Sequence, residues 1–228
     1  MRTLGLIAAV ACVCGCAPHR PDDDFAASVQ RLRPAVVLLS MDVPGESKKS
    51  GPDEEFATGT VVASGAWGSD VMTVQHAVDG AWNMRVTIDN KKKAPAKVVA
   101  FDKDLDIAIV RTARANLPIA SLGRSADAQP GRSIGLLGYP IPDQFDDEGL
   151  GLATSLNAGY ISAVREGTLE VTLPIVPGES GAPVFLSDTG EIVGMVESRF
   201  EAERSIGFAL PIDDAKRFLH KYDAAHGL

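Results

Sequence analysis

Three short segments of the sequence contain the residue types of a hydrolytic triad. His76 ends one apolar run, Asp106 opens another, and Ser180 stands between the glycines of segment 178–181. A serine hydroxyl is a weak nucleophile until a base accepts its proton, and a carboxylate then orients and stabilises that base. The chain order His, Asp, Ser separates this arrangement from folds that use the same chemistry in another order.

The histidine and the aspartate are chosen by their positions. The chain has four histidines, and His76 is the one within the strand-like part of the sequence. Three aspartates compete for the carboxylate role. Asp106 is preferred because it leads directly into the apolar run 107–110, whereas Asp102 and Asp104 are typical turn residues.

The segment around Ser180 has two interpretations. Taken alone, it fits a glycine–serine turn in a polar loop. As a nucleophile loop, Gly178 and Gly181 remove side-chain bulk and supply conformational freedom on both sides of the serine. The backbone N–H groups of Gly178 and Ser180 would then form an oxyanion hole.

The elements that must position these residues are predicted to be strands. Short apolar runs, several with period-two alternation, are separated by glycine, proline and asparagine. The runs are 35–41, 57–64, 71–75, 84–89, 94–101, 106–111, 133–137, 152–164, 169–173, 183–186, 191–199 and 204–210. Because long helical crossovers are missing, this pattern favours an all-β fold with two units of six strands.

Helices are predicted near both ends of this strand region. Apolar residues at helical spacing predict a helix over 25–32, which ends before Pro34. A closing helix is predicted over 212–224, with Asp213 as its N-terminal cap. The acidic segment 143–148 is predicted to be an exposed loop.

The N-terminal segment 1–16 is predicted to be a secretory signal. Arg2 precedes an apolar stretch over 3–13, which is too short to span a bilayer as a helix. All three cysteines of the chain, at positions 12, 14 and 16, fall in this segment. Stability therefore has to come from the core of the domain and not from disulfides.

The end of this segment resembles the cleavage box of bacterial lipoproteins. The resemblance implies that Cys16 becomes the lipidated first residue and that a membrane of the bacterial cell envelope holds the protein, in the periplasm. Cys12 is a second candidate, and the alternatives are cleavage near Ala17 without lipidation or a retained anchor. Residues 17–24 are then predicted to be a polar tether.

Composition excludes several other functions. The net charge is −8 and no basic stripe is present, which argues against nucleic-acid binding. No pair of histidines stands at zinc-ligand spacing, so a metalloprotease is disfavoured and no metal or cofactor is predicted. An esterase of the α/β-hydrolase class is opposed by the chain order and by Ala182, since its nucleophile elbow needs glycine there.

Together, these segments resemble the trypsin-fold serine proteases of the HtrA (Deg) group. The resemblance runs from about residue 25 to residue 212. The matching segments are 73–78, 106–110, 159–163 and 205–211. The spacings of 30 residues from His76 to Asp106, and of 74 from Asp106 to Ser180, also suit this group.

The resemblance implies an architecture for the domain over residues 25–228. Two antiparallel six-stranded β-barrels are expected, over about 25–113 and about 120–210, with a cleft between them and a C-terminal helix. The catalytic His76 and Asp106 would come from the first barrel, and Ser180 from the second.

The resemblance also implies a serine endopeptidase whose substrates are unfolded or envelope polypeptides. An apolar specificity pocket for small or medium aliphatic side chains is expected. Its predicted residues are Ile175, Met195, Val196, Glu197 and Ser198. Relatives often form trimers through N-terminal segments, so a homo-oligomer is possible. Many also carry a peptide-binding PDZ domain, for which the sequence after the last predicted helix leaves no room.

Three residues depart from the pattern of the group. Ala182 replaces a glycine, Glu179 replaces an asparagine or aspartate, and Gln75 replaces an alanine. None of these changes removes a reacting group, but the first two alter the nucleophile turn. The alternative function is therefore a catalytically weak or inactive binding protein or chaperone that keeps the protease fold.

Overall fold

The computed structural model describes residues 21–45, 51–88, 90–199 and 206–226. The predicted signal segment lies outside these residues. Within them, twelve strands are the main regular secondary structure. Their bounds are β1 (Val36–Val43), β2 (Asp53–Gly65), β3 (Gly68–Thr73), β4 (Trp82–Ile88), β5 (Lys92–Asp102), β6 (Ile107–Thr112), β7 (Ser133–Gly138), β8 (Ser155–Arg165), β9 (Thr168–Val171), β10 (Pro183–Leu186), β11 (Ile192–Arg199) and β12 (Gly207–Pro211).

The strands form two closed six-stranded barrels. The strand order is β1-β2-β3-β6-β5-β4 in the first barrel and β10-β11-β12-β9-β8-β7 in the second. The first closes because β1 pairs with both β2 and β4, and the second closes because β7 pairs with both β8 and β10. These pairs are antiparallel. The predicted all-β class, with two antiparallel six-stranded barrels, is therefore confirmed.

Apolar side chains fill both barrels. The run Ile107–Val110 in β6 is completely buried, which explains why the sequence around Asp106 is continuously apolar. One apolar cluster extends from the first barrel to Phe185, Met195 and Ile212 of the second half, and another lies inside the second barrel. Burial of one large aliphatic side chain contributes about 1.5–3 kcal/mol, so this shared core holds the two barrels together.

Four α-helices accompany the barrels in the described part of the chain. They are α1 (Pro21–Leu32), α2 (Gln75–Val78), α3 (Pro142–Asp147) and α4 (Ile212–His226). The first helix begins four residues before Phe25, which corrects its predicted start, and the last four residues of the predicted tether are helical. Among the described residues, no helix has the length and apolar run that crossing a membrane requires.

Two further predictions about helices differ from the structure in detail. The segment 143–148 lies mostly in α3 and is not only a loop, with Pro142 in the first turn, where its missing N–H is not needed. The closing helix is confirmed. Asp213 was predicted to cap it, but its carboxylate instead accepts the N–H of Ser125 at 3.0 Å, and its own N–H donates to the Ser125 hydroxyl at 2.8 Å. Asp213 therefore joins α4 to the segment between the barrels.

A buried ion pair joins α4 to the first barrel. The Asp70 side chain is 2% exposed, and Arg111 Nε and Nη2 each donate to one of its oxygens at 2.7 Å. The same guanidinium donates to the Tyr222 hydroxyl of α4 at 2.6 Å and lies 4.5 Å above the Trp67 ring. This network fixes the end of the chain against the barrel that carries His76.

Candidate active site

His76 lies in α2, the single helical turn that follows β3. Its backbone N–H donates to Asp106 Oδ1 at 2.8 Å, and its Nδ1 is 2.6 Å from Asp106 Oδ2. The Gln75 N–H donates to the Asp106 carbonyl at 3.2 Å. Asp106 therefore holds both the imidazole and the turn that carries it. The φ angle of Asp106 is 49°, a left-handed conformation that aspartate tolerates better than most residues.

The pair with Asp106 determines the chemistry of His76. Because an ionised carboxylate only accepts hydrogen bonds, Nδ1 carries the proton, which leaves Nε2 as the lone-pair nitrogen. The hydrogen bond to Asp106 raises the pKa of His76. Burial partly opposes this rise, and the negative charges of Asp106 and Glu197 add to it. The half-exposed ring is thus a strengthened base.

The nucleophile loop depends on its two glycines. Gly178 has a φ of 92°, and a Cβ there would lie 2.3 Å from the Tyr139 carbonyl oxygen. Gly181 has a φ of 83°, and a Cβ there would lie 2.3 Å from the Thr58 carbonyl oxygen. Both positions therefore exclude a side chain, and Ser180 lies between them.

Thr58 of β2 connects the first barrel to this loop. Its backbone N–H donates to the Ser180 carbonyl at 2.9 Å, and its hydroxyl donates to the Gly178 carbonyl at 2.7 Å. The hydroxyl also accepts the Tyr139 N–H at 3.0 Å, and the residue is fully buried. No local signal in the sequence marks Thr58, because threonine within a strand is common.

Two backbone N–H groups of the loop are free to bind an anion. The Pro177 carbonyl accepts the Ile141 N–H at 2.8 Å. Since the C=O and N–H of a trans peptide point in opposite directions, the Gly178 N–H is directed away from Ile141. Among the described residues, neither the Gly178 N–H nor the Ser180 N–H donates to a protein acceptor. These are the two donors predicted for the oxyanion hole.

The buried side chain of Glu179 stabilises the loop that carries Ser180. Its side chain is fully buried, where Oε2 accepts the Val176 N–H at 2.9 Å and Oε1 accepts the Asn157 amide at 3.0 Å. Its own N–H donates to the Val176 carbonyl at 3.1 Å. Burial raises the pKa of Glu179 to about 7, although the two hydrogen bonds oppose the rise. Glu179, which departs from the pattern of the group, therefore has a structural role beneath Ser180, the predicted nucleophile.

The methyl group of Ala182 points into the core and not toward the reacting groups. Ala182 is fully buried in the apolar cluster of the second barrel. Its N–H donates to the Glu179 carbonyl at 2.9 Å, and its carbonyl accepts the Val196 N–H at 2.9 Å. The loop thus accommodates this departure with its backbone hydrogen bonds formed.

His76 and Ser180 line the same cleft, which has a volume of about 350 Å³. Its lining is Val43, Glu55, Phe56, His76, Ala77, Asp79, Pro177, Gly178 and Ser180. The structure thus brings the predicted base, nucleophile and oxyanion residues together, with Asp106 behind the base.

Within residues 21–45, 51–88, 90–199 and 206–226, no cluster of acidic, histidine or cysteine side chains is arranged to hold a metal ion.

The residues predicted for the specificity pocket lie outside this cleft. Met195 and Val196 are fully buried in the apolar cores, and Ile175 is 4% exposed. Ile175 lies against Gly207, where a Cβ would be 2.2 Å from its Cδ1 atom. Glu197 is partly buried, and the side chain of Ser198 lies outside the described residues. The pocket assignment therefore stays a prediction.

The sequence matches a known family over the region that contains the site. Residues 57–195, more than half of the chain, match the model of the trypsin-like peptidase domain. The chain belongs to this family. It is 30% identical over 235 residues to a putative serine protease, HhoB, of Synechocystis sp., and the match covers 87% of this chain and 54% of that protein.

A second relative is described as DegP-like, and a similar solved structure is an HtrA-type protease. The chain is 29% identical to a probable periplasmic serine endoprotease, DegP-like, of Halomonas elongata, over 75% of this chain and 36% of that protein. The fold superposes on the HtrA-type protease AlgW, solved with a tripeptide, with a TM-score of 0.71 and 25% identity over 89% of this chain and 64% of that one. The chain thus spans about half the length of the first relative and about a third of the second.

Proposed function

We propose that this chain is a serine endopeptidase that cleaves polypeptides through His76, Asp106 and Ser180. The observation that carries the proposal is the shared cleft. On one side it contains an imidazole held by Asp106 at 2.6 Å, and on the other a serine between two glycines. The family membership and the names of the relatives support the same reaction.

The proposed reaction proceeds in two steps. The Ser180 hydroxyl attacks the substrate carbonyl and transfers its proton to His76 Nε2, while Asp106 stabilises the imidazolium. The N–H groups of Gly178 and Ser180 bind the oxyanion. His76 then protonates the leaving amine, which produces an acyl-enzyme. In the second step, water activated by His76 releases the acyl group and regenerates Ser180.

We place the substrates among unfolded or envelope polypeptides. A location in the cell envelope is supported by the signal-like segment 1–16 and by the relative described as periplasmic. Anchoring through a lipid on Cys16 and assembly into trimers are further parts of the proposal. We expect small or medium aliphatic side chains before the cleaved bond, because the resemblance to the HtrA group implies an apolar specificity pocket lined by Ile175.

Digestion of an unfolded polypeptide such as β-casein tests the proposal. Wild-type protein should cleave it, and Ser180→Ala should lose at least about 10³-fold in kcat/KM. Ser187→Ala, which changes a serine of the same barrel outside the cleft, should keep full activity. Folded wild-type protein that cleaves no peptide would instead support the inactive binding protein, and full activity of Ser180→Ala would refute the assigned nucleophile.

A further inference from the structure

A second cavity lies beside the cleft, at the junction of the two barrels. Its volume is about 220 Å³, and Phe56 lines both this cavity and the cleft that contains His76 and Ser180. One wall comes from β1, β2 and β5, and the facing wall comes from α3 and the segment that follows it. Small-molecule pockets usually have about 300–1,000 Å³, so this cavity suits one side chain of a polypeptide better than a whole ligand.

Both walls of the cavity contact the loop that carries the oxyanion donors. On one wall, Phe56 lies two residues before Thr58, whose hydroxyl donates to the Gly178 carbonyl at 2.7 Å. On the other wall, Pro142 lies against Gly178, where a Cβ would be 2.8 Å from the Pro142 Cδ atom. A polypeptide that reacts at Ser180 therefore lies next to the cavity.

The cavity is lined by exposed carboxylates together with less exposed apolar side chains. It has four carboxylates against one ammonium group, that of Lys93. The carboxylates are those of Glu54, Asp143, Asp146 and Asp147, and among the described residues none of them forms a hydrogen bond or an ion pair. The last three stand three and four residues apart, which places them on one face of α3. The lining therefore favours a cation.

Ser40 provides an unpaired acceptor on the wall opposite α3. It lies on the same face of β1 as Leu38, it pairs with Phe56 in the ladder, and the next step along β2 on that face is Glu54. Ser40 is fully buried, and its hydroxyl has no hydrogen-bond partner among the described residues. Since a buried polar group without a partner is destabilising, this hydroxyl favours a ligand that brings a hydrogen-bond donor.

We propose that this cavity is a substrate subsite that binds a lysine or arginine side chain close to the cleaved bond. The inference rests on the proposed function, because it takes the occupant from the polypeptide substrate. The aliphatic stem of the side chain packs on Leu38, Phe56 and Leu152. The charged head group lies between the Ser40 hydroxyl and the carboxylates of Glu54 and α3, to which it donates hydrogen bonds.

The length of β2 limits where the basic residue stands in the substrate. Glu54 and Thr58 are four residues apart, about 13 Å at 3.3 Å per residue, and an extended substrate covers that distance in about four residues. The basic residue therefore lies within about four positions of the cleaved bond. Because the contact is the same in the bound substrate and in the transition state, the preference should appear in KM and leave kcat nearly unchanged.

Peptide binding to the Ser180→Ala protein tests the subsite without requiring activity. Fluorescein-labelled peptides carry a central valine–alanine pair and one lysine, placed in turn at each of four positions on either side, and matched peptides carry glutamine instead. At one position or more, the lysine peptide should bind about fivefold more tightly in fluorescence anisotropy. The combined change Asp143→Asn, Asp146→Asn and Asp147→Asn should remove this difference, and Glu54→Gln alone should reduce it.

The matched control removes three carboxylates from turns of the same barrel, outside the cavity. It combines Glu166→Gln, Asp188→Asn and Glu191→Gln, and it should keep the lysine preference. Binding that is equal for lysine and glutamine peptides at every position overturns the inference. An equal loss of the preference in the control also overturns it, because the effect would then come from net charge and not from the cavity.

The outcomes separate this inference from the proposed function. A wild-type protein that cleaves β-casein, but whose Ser180→Ala variant shows no lysine preference, keeps the proposed function and refutes the subsite. A lysine preference that depends on the α3 carboxylates, in a protein that cleaves nothing, leaves the cavity as a binding site and refutes the proposed function.

Discussion

Thr58→Val should weaken both the fold and the oxyanion hole. The change removes a hydroxyl that donates to the Gly178 carbonyl at 2.7 Å and accepts the Tyr139 N–H at 3.0 Å. A buried hydrogen bond contributes about 1 kcal/mol net, and a buried partner left unsatisfied costs about 1–3 kcal/mol. We therefore expect a loss of roughly 2–4 kcal/mol in the free energy of unfolding.

The same change should lower catalysis without changing the reacting groups. Without the Thr58 hydroxyl, the peptide that carries the Gly178 carbonyl loses one of its restraints. We expect kcat to fall about tenfold, less than the 10²–10³-fold that follows complete loss of an oxyanion donor. The KM value should change little, because Thr58 is fully buried and does not line the cleft.

Thr60→Val is the matched control for urea unfolding and peptide hydrolysis. Thr60 lies two residues further along β2 and is also fully buried, but its hydroxyl has no hydrogen-bond partner within the described residues. Its replacement should be neutral or stabilising by about 1 kcal/mol. Equal losses of stability in the two variants would refute the role given to the Thr58 hydroxyl.

Three further predictions concern other parts of the molecule. Gly181→Ala should destabilise by at least about 1–2 kcal/mol and abolish hydrolysis, because its Cβ would meet the Thr58 carbonyl; an active, stable variant would contradict this. Arg111→Met should cost about 3–5 kcal/mol by leaving the buried Asp70 charge without its cation, and a thermal midpoint equal to wild type would oppose it. Because the pKa of Glu179 is about 7 against an ordinary 4.5, the native state keeps a proton that the unfolded chain releases. Glu179 should therefore lower the free energy of unfolding by on the order of 3 kcal/mol between pH 4.5 and 7, and urea midpoints with the same pH dependence in wild type and Glu179→Gln would exclude this.

The sequence was sufficient to predict the twelve strands, because they depend on local patterns, whereas the two closed barrels were expected from the resemblance to a known family. Each of the twelve predicted runs overlaps a strand of the structure. The strand boundaries in the structure differ from the predicted ones by a few residues, because a strand ends where its hydrogen bonds to a neighbouring strand end, and that neighbour is distant in the chain. His76 illustrates this point. It was expected at a strand end, but it lies in a helical turn held by Asp106.

The parts of the site that the sequence did not predict depend on contacts between the barrels. Thr58 has no local motif, and its role arises where one barrel meets the other. Glu179 was recognised as a departure, but its partners Val176 and Asn157 could not be inferred without the folded loop. The candidate reacting residues could therefore be located from the sequence, whereas the residues that support them could not.

Covalent labelling of Ser180 by a fluorophosphonate, located by peptide mass spectrometry, tests the central claim most directly. The account predicts one adduct per chain, on Ser180, at a rate that falls sharply in His76→Ala. Folded wild-type protein that takes up no label would contradict the account. Labelling of Ser180 at an unchanged rate in His76→Ala would also contradict it, because the serine would then not need the imidazole held by Asp106.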